Sequence, residues 1–398
     1  MDRRSFLLGT SGLAISQLLL GCTNNKQMKF NVQLLRGSIP AQVVGRFQKS
    51  WESNIQLKFT PIDQLEEIFQ QLQTWRHPSA NKKAGFWTIP RIPWINDHQT
   101  EHVADLVTLG DYWLKAAIQQ ELIQPLEIAQ SQSWFSLAQK WQQLVRRDEQ
   151  GNPHPQGKVW AAPYRWGNTV IIYNRDKFSQ LNWQPRDWSD LWRSELRSRI
   201  SLLNQPREVI GLVLKKLGQS YNTENLDQVP TLEIELQRLN EQVKFYDSRN
   251  YLEPLVIGDT WLAVGWSNDM ISVLERYPQM TAVVPQSGTA IWADLWVSPL
   301  NKNKHVNNLT ADKWINFCWE SNIAKQIALL TKTNSPIITG ITASDISNKL
   351  QNLLLVNQEI FDKSEFLLPL STTATKKYEA LFVKMKNSAL AGVPRSVN

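Results

Sequence analysis

The run TAIWADLWVSP, residues 289–299, carries one carboxylate, Asp294, inside an otherwise apolar strand, with Trp292 two residues before it and Trp296 two after. Side chains alternate faces along a strand, so Trp292, Asp294 and Trp296 are expected on one face and Ile291, Ala293, Leu295 and Val297 on the other. A charge set between indole rings suits an ammonium, held by ion pairing and by cation–π contact. The same pattern also fits an edge-strand Asp facing water, or an Asp paired internally with an Arg.

Around that stretch the chain reads as alternating strands and helices. Phe30–Leu35 reads as a strand, Val43, Val44, Phe47 and Trp51 mark a helix face, Ile55–Phe59 a second strand, and Leu65, Ile68, Phe69, Leu72 and Trp75 a second helix. The Pro-rich aromatic segment 77–101 interrupts the pattern as a surface insertion. VADLVTLG then reads as a buried strand leading into a helix YWLKAAIQQELI, RDEQGNPHPQGK as a turn-rich hairpin or loop, and KVWAAPYRWGNTVIIYN as two extended pieces. The remainder alternates likewise, and the last hundred residues are mostly helical. Arg36-Gly37-Ser38, Gly110-Asp111-Tyr112, Gln205 and Trp266-Ser267-Asn268 each follow an apolar strand and open a helix. In open α/β sheets the ligand crevice lies outside the strands' carboxyl ends, so these junctions should converge on one cleft.

Bulk properties narrow the function classes. A length of 398 residues suggests two or three domains. With 42% hydrophobic and 20% charged residues, neither disorder nor a multi-span membrane protein is indicated. Eighteen tryptophans exceed what a core needs, which places some indoles in sites or at the surface. The net charge of +7 is scattered among acids, apart from pairs such as Arg146-Arg147 and Lys215-Lys216, and so forms no track for nucleic acid.

MDRRSFLLGTSGLAISQLLLGC is a targeting segment. Leu19, Leu20, Gly21 and Cys22 resemble a bacterial lipoprotein signal, which implies lipidation of Cys22, and Arg3-Arg4-Ser5-Phe6-Leu7 resembles a twin-arginine export signal. An uncleaved anchor helix is the alternative. The other cysteine, Cys318, reads as a small buried helix residue.

Enzymatic signatures are sparse. His98, Glu101 and His102 spell the H-x-x-E-H pattern of a zinc hydrolase, but that motif needs a sustained helix, and here it falls between the insertion and a strand. No nucleophile elbow, phosphate loop or dinucleotide fingerprint occurs. Glu208, in LLNQPREVI, sits at the third position of a helix opened by Pro206 and capped by Gln205; it serves either that helix start or the cleft. Trp266, closing WLAVGW, reads as core packing or as a platform for a cation.

Taken together, APYRWGNTVIIYN, DWSDLW, SLLNQPREVI, LKKLG, FYDSRN, VGWSND, AIWADLWVSP and KWINFCWES resemble the spermidine/putrescine-binding proteins, substrate-binding components of polyamine ABC transporters. The resemblance runs from about Leu35 to Pro336. It implies an α/β, two-lobed periplasmic-binding-protein-like fold of type II, each lobe a mixed sheet flanked by helices, with the ligand cleft between lobes and hinge closure around the ligand. On that reading residues 1–22 are the signal, 23–29 a tether, 30–170 with 291–338 one lobe, and 171–290 with 339–390 the other, with crossings near 168–174 and 285–291. The resemblance further implies that Trp266, Trp292 and Asp294 sandwich a polyamine and neutralise its nitrogens, that Glu208 binds an amine end, and that Tyr112 is a pocket tyrosine.

The chain departs from the family pattern at Leu35, Ser38, Gly110, Gln205 and Thr333, and Arg36 stands where it would repel an ammonium. With two carboxylates where three would suit a triamine, a ligand with fewer charges is expected. The resemblance implies a monomeric receptor without catalysis, cofactor or metal, lipid-anchored at the periplasmic face and serving ABC permease subunits. An anion or zwitterion receptor, encouraged by Arg36 and the +7 charge, a zinc hydrolase, and a receptor fold retained for protein contact through Phe86, Trp87 and Trp94 are the alternatives.

Overall fold

A computed structural model describes residues 29–50, 56–77, 103–300, 308–355 and 357–390. The targeting segment with Cys22, the aromatic insertion and the His98-Glu101-His102 motif lie outside the described residues.

Thirteen strands are described: β1 (Lys29–Leu35), β2 (Gln56–Ile62), β3 (Leu106–Gly110), β4 (Ile123–Gln124), β5 (Arg146–Arg147), β6 (Lys158–Val159), β7 (Ala162–Asn174), β8 (Ile200–Leu202), β9 (Val243–Tyr246), β10 (Leu262–Trp266), β11 (Met280–Val283), β12 (Ala290–Pro299) and β13 (Glu365–Phe366). Eleven of them form one sheet, whose main path runs β2-β1-β3-β12-β7-β10-β8-β9. β1 is parallel to β2 and β3, β8 is parallel to β9 and β10, and the joining strands β12 and β7 are antiparallel to each other and to their outer neighbours. β5 and β6 pair antiparallel, so RDEQGNPHPQGK, read as a hairpin or a loop, is a hairpin.

The pattern of apolar residues accounts for these elements. In β1, Phe30, Val32 and Leu34 are buried while their neighbours are not, the alternation of a strand with one covered face. β7 is buried along all 13 residues, and its second half alternates between two cores. Ile171 and Tyr173 enter one cluster with Trp188 and Val213, and Val170 and Ile172 enter another with Met270 and Leu274. Such a strand is covered on both faces, which explains the unbroken apolar run TVIIY.

A third, larger cluster draws on β1, β3 and the first part of β7 together with Ile291, Leu295, Trp296 and Trp314. β7 therefore passes from one core to another. It pairs with β12 as far as Asn168 and with β10 from Thr169 onward. β12 crosses beside it, the Thr289 hydroxyl donating to the Thr169 carbonyl just before β12 begins.

One local expectation differs from what is observed. The helix expected over YWLKAAIQQELI opens as a single tight turn, Asp111–Trp113, and continues only through Leu114–Gln119, because Glu121 takes a left-handed conformation (φ 50°) that ends it. KVWAAPYRWGNTVIIYN forms the two extended pieces expected, the short β6 and the 13-residue β7. Among the described residues no helix is long and apolar enough to cross a membrane.

Candidate functional site

The site is built on one face of β7 where it changes partners. Arg165, Gly167 and Thr169, two residues apart, share that face, and each meets a different residue expected in the cleft. Gly167 is paired with Trp292 of β12, and Thr169 with Trp266 of β10. The Thr169 hydroxyl donates to Glu208 Oε2 (2.9 Å), and Trp266 Nε1 donates to Glu208 Oε1 (3.0 Å).

Glu208 is carried by the helix Pro206–Lys216, which follows β8. Pro206 opens that helix, Gln205 occupies its cap without a side-chain hydrogen bond, and Glu208 is only 6% exposed. Its two partners are neutral, and no basic side chain forms an ion pair with it among the described residues. Burial therefore raises its pKa, against the opposing effects of the two hydrogen bonds and of the neighbouring Arg207 charge. The adjacent Arg207 is turned away, donating to the Leu368 carbonyl (3.0 Å) and Asn222 Oδ1 (3.0 Å). Glu208 is thus a buried carboxylate with room in its chemistry for one cation.

Asp294 is placed differently. Arg165, its partner across the β7–β12 pair, donates from Nε to Asp294 Oδ2 at 2.5 Å, and both side chains are nearly inaccessible at 8% and 3%. Burial pushes the Asp294 carboxyl up, and the guanidinium beside it opposes that. Of the readings open for Asp294 from its sequence, internal pairing with an Arg is the one observed. Its charge is matched by the Arg165 guanidinium within the chain.

Trp292 is half-buried over Gly167, with the Arg165 guanidinium 6.0 Å from its ring, while Trp296 is fully buried in the larger core, stacked on Tyr164 at 4.4 Å. The pairing register shifts between Asp294 and Leu295, with Tyr164 passed over on β7. Trp296 is therefore a core residue.

The remaining expected residues divide into mouth and interior. Tyr112 is 64% exposed, and it lies close enough to Arg207, on the other half of the sheet, to influence its charge. Gln205 is exposed beside it in sequence order of the same helix start. Ser38 is fully buried near Tyr164, whose hydroxyl lies 3.1 Å from Thr108. Thr333 is buried with its hydroxyl 2.7 Å from that of Thr331. Arg36 is exposed and ion-paired with Asp63, so the repulsion expected from it is cancelled by a neighbour.

Three residues of this arrangement escaped the sequence reading: Arg165, Gly167 and Thr169. Arg165 had a signal, being the one charged residue in a 13-residue buried strand. Asp111, half-buried at the end of β3, accepts the Ala293 amide on Oδ1 (3.1 Å). Burial lifts its pKa to about 7.

Two halves joined by crossing strands, with half-buried indoles and an unmatched carboxylate where the strands change partners, define a two-lobed solute receptor. The chain belongs to the bacterial extracellular solute-binding proteins, whose family model matches residues 101–363. It is 28% identical over 291 residues to the spermidine/putrescine-binding periplasmic protein of Escherichia coli, covering 73% of this chain and 72% of that protein. To the putrescine/cadaverine-binding protein of Pseudomonas aeruginosa it is 26% identical over 194 residues, covering 45% and 53%. Its fold is similar to the spermidine/putrescine ABC transporter substrate-binding protein of Streptococcus pneumoniae, with a TM-score of 0.72 at 20% identity over 90% of this chain and 99% of that one. A maltose-binding periplasmic protein of Listeria monocytogenes shares the two-lobed architecture at a TM-score of 0.61 and 13% identity.

Proposed function

We propose that this protein captures a polyamine-type organic cation outside the inner membrane and delivers it to the permease of an ABC transporter, without chemistry of its own. Glu208 carries this reading. Leaving a buried carboxylate without a cation costs stability, and a site that accepts that cost in the free protein is built for a charge that arrives with the ligand. Trp266, oriented by Glu208, and Trp292, seated over Gly167, supply flat apolar faces for methylene groups and cation–π contact of roughly 0.5–2 kcal/mol per ring. Asp294 with Arg165 forms a neutral wall under Trp292. Tyr112 and Gln205 stand at the mouth, and Ser38 and Thr333 support the two lobes from within.

In this reading residues 30–170 with 291–338 form one lobe and 171–290 with 339–390 the other, and the monomer closes about β7 and β12. Export by the twin-arginine route and lipidation at Cys22 keep it beside its permease. Names of relatives that bind spermidine, putrescine or cadaverine support the ligand class. Calorimetry of the lipid-free mature chain against 1,4-diaminobutane, spermidine and spermine tests it. Micromolar or tighter binding of at least one is expected, and no heat with any of them would overturn the proposal.

A further inference from the structure

Trp266 ends β10 and caps the helix Ser267–Arg276, and one buried side chain grips the backbone on both sides of it. Gly265, the residue before it, pairs with Val170 and faces the cluster of Val170, Ile172 and Met270, on the side of the sheet away from Thr169 and Glu208. Tyr251, 1% exposed, belongs to that cluster and fills the place a side chain at 265 would take. A Cβ there would stand 2.1 Å from its ring and 2.4 Å from its hydroxyl oxygen. The same hydroxyl donates to Asp269 Oδ2 (3.0 Å) in the first turn of the helix, while Asn268 Nδ2 donates to Asp269 Oδ1 (2.8 Å). Both carboxyl oxygens of Asp269 therefore have a donor within the chain. Between these two anchors Ser267 Oγ accepts the Asn168 amide of β7 (3.2 Å), and Trp266 Nε1 reaches Glu208.

We propose that Tyr251 and Asp269 are positioning residues for the Trp266 indole. The Tyr251 ring under Gly265 and its hydroxyl on Asp269 fix the chain before and after Trp266, so the indole meets the solute already aligned on Glu208. This rests on the polyamine reading above and goes beyond it, because Tyr251 lies on the far face of the sheet from Glu208.

Trp266 is where such support matters. Its backbone is extended (φ −78°, ψ 137°) while the next residue begins a helix, and its side chain makes no capping hydrogen bond. The two soft dihedrals of that junction would let the indole swing if nothing held the flanking residues. A solute that must order this ring binds more weakly than one that meets it already ordered. In this arrangement Asp269 serves as the acceptor for Tyr251, so its oxygen matters and its negative charge does not.

Calorimetry of the lipid-free mature protein at pH 7 against 1,4-diaminobutane, spermidine and spermine, with fluorine NMR of 5-fluorotryptophan-labelled protein, tests the assignment. The Trp266 resonance is the one lost in Trp266→Phe. Wild type should show it as a single line. Tyr251→Phe should broaden or split that line and weaken every amine that wild type binds by about fivefold. In the Trp266→Phe background the same Tyr251→Phe change should alter affinity by less than about 1.5-fold. Asp269→Asn, which keeps an acceptor oxygen, should bind within about twofold of wild type, whereas Asp269→Ala should behave as Tyr251→Phe does. A sharp, unmoved Trp266 line in Tyr251→Phe, or an equal loss of affinity with and without Trp266, overturns the assignment. So does a loss in Asp269→Asn as large as in Asp269→Ala, which would make the charge itself the feature that the solute reads. Wild type that binds none of the amines overturns the polyamine reading alone, and the Trp266 line then decides the positioning by itself.

Discussion

Gly167 lies opposite Trp292 with no space for a side chain: a Cβ there would stand 2.4 Å from the indole and 2.4 Å from Ser267 Oγ. The contact joins the two crossing strands to the helix start that follows β10, so the position of the ring is coupled to the backbone of the crossing itself. Gly167→Ala should displace Trp292 or part β7 from β12. Overpacking of this kind costs typically 1–3 kcal/mol, and amine affinity should fall with it. Thermal melts combined with calorimetry check this, and an alanine variant that binds and melts like wild type would show that the ring is free to move.

Glu208 gives a prediction with a definite sign. Burial holds its pKa in the folded chain above the ordinary 4.5, so the folded state binds more protons than the unfolded state between those values. Stability of the free protein should therefore fall as pH rises upward from about 4.5 through the raised value. Glu208→Gln removes that dependence, should stabilise the free protein at pH 7 by ~1 kcal/mol, and should weaken amine binding by about 30-fold or more. Melting temperatures of both proteins from pH 4 to 8, with and without amine, separate the two effects.

For Asp294 the expected consequence is structural. Asp294→Asn leaves the Arg165 guanidinium buried without its counter-charge, and breaking a buried pair from one side costs roughly 3–5 kcal/mol. The double variant Arg165→Met/Asp294→Leu should recover most of that loss. A double-variant cycle by urea unfolding checks it. Equal destabilisation by the single and double changes would show that the loss does not come from an uncompensated Arg165 charge.

Tyr112 should behave as a closing element. With 64% of its surface exposed and no hydrogen bond described to its hydroxyl, Tyr112→Ala should change the stability of the free protein by less than about 0.5 kcal/mol. Ligand release should nevertheless be faster, because the ring no longer covers the mouth. Stopped-flow dissociation measures that rate, and an unchanged rate would remove Tyr112 from the cleft.

Much of this arrangement was readable from residue order. Buried alternation in Phe30-Val32-Leu34, the Pro206 helix start and the apolar run TVIIY each follow from local rules of spacing, because a strand or helix exposes its period in the chain that forms it. The same rules placed Glu208 at a helix N-terminus and at a strand's carboxyl end, which is where it is found. They overextended the helix after Tyr112, whose end depends on a left-handed residue, Glu121, that has no glycine to announce it.

Pairings between distant segments were another matter. Arg165 and Asp294 are 129 residues apart, and Thr169 and Glu208 are 39 apart; nothing in either neighbourhood names its partner. Chain order therefore supplied the acids, the rings and the strands that carry them. Which acid is ion-paired within the chain, Asp294 rather than Glu208, was decided by the antiparallel register that sets Arg165 beside one while a hydroxyl and an indole donate to the other, since a carboxylate's electrostatic state depends on neighbours in space and not on neighbours in the chain.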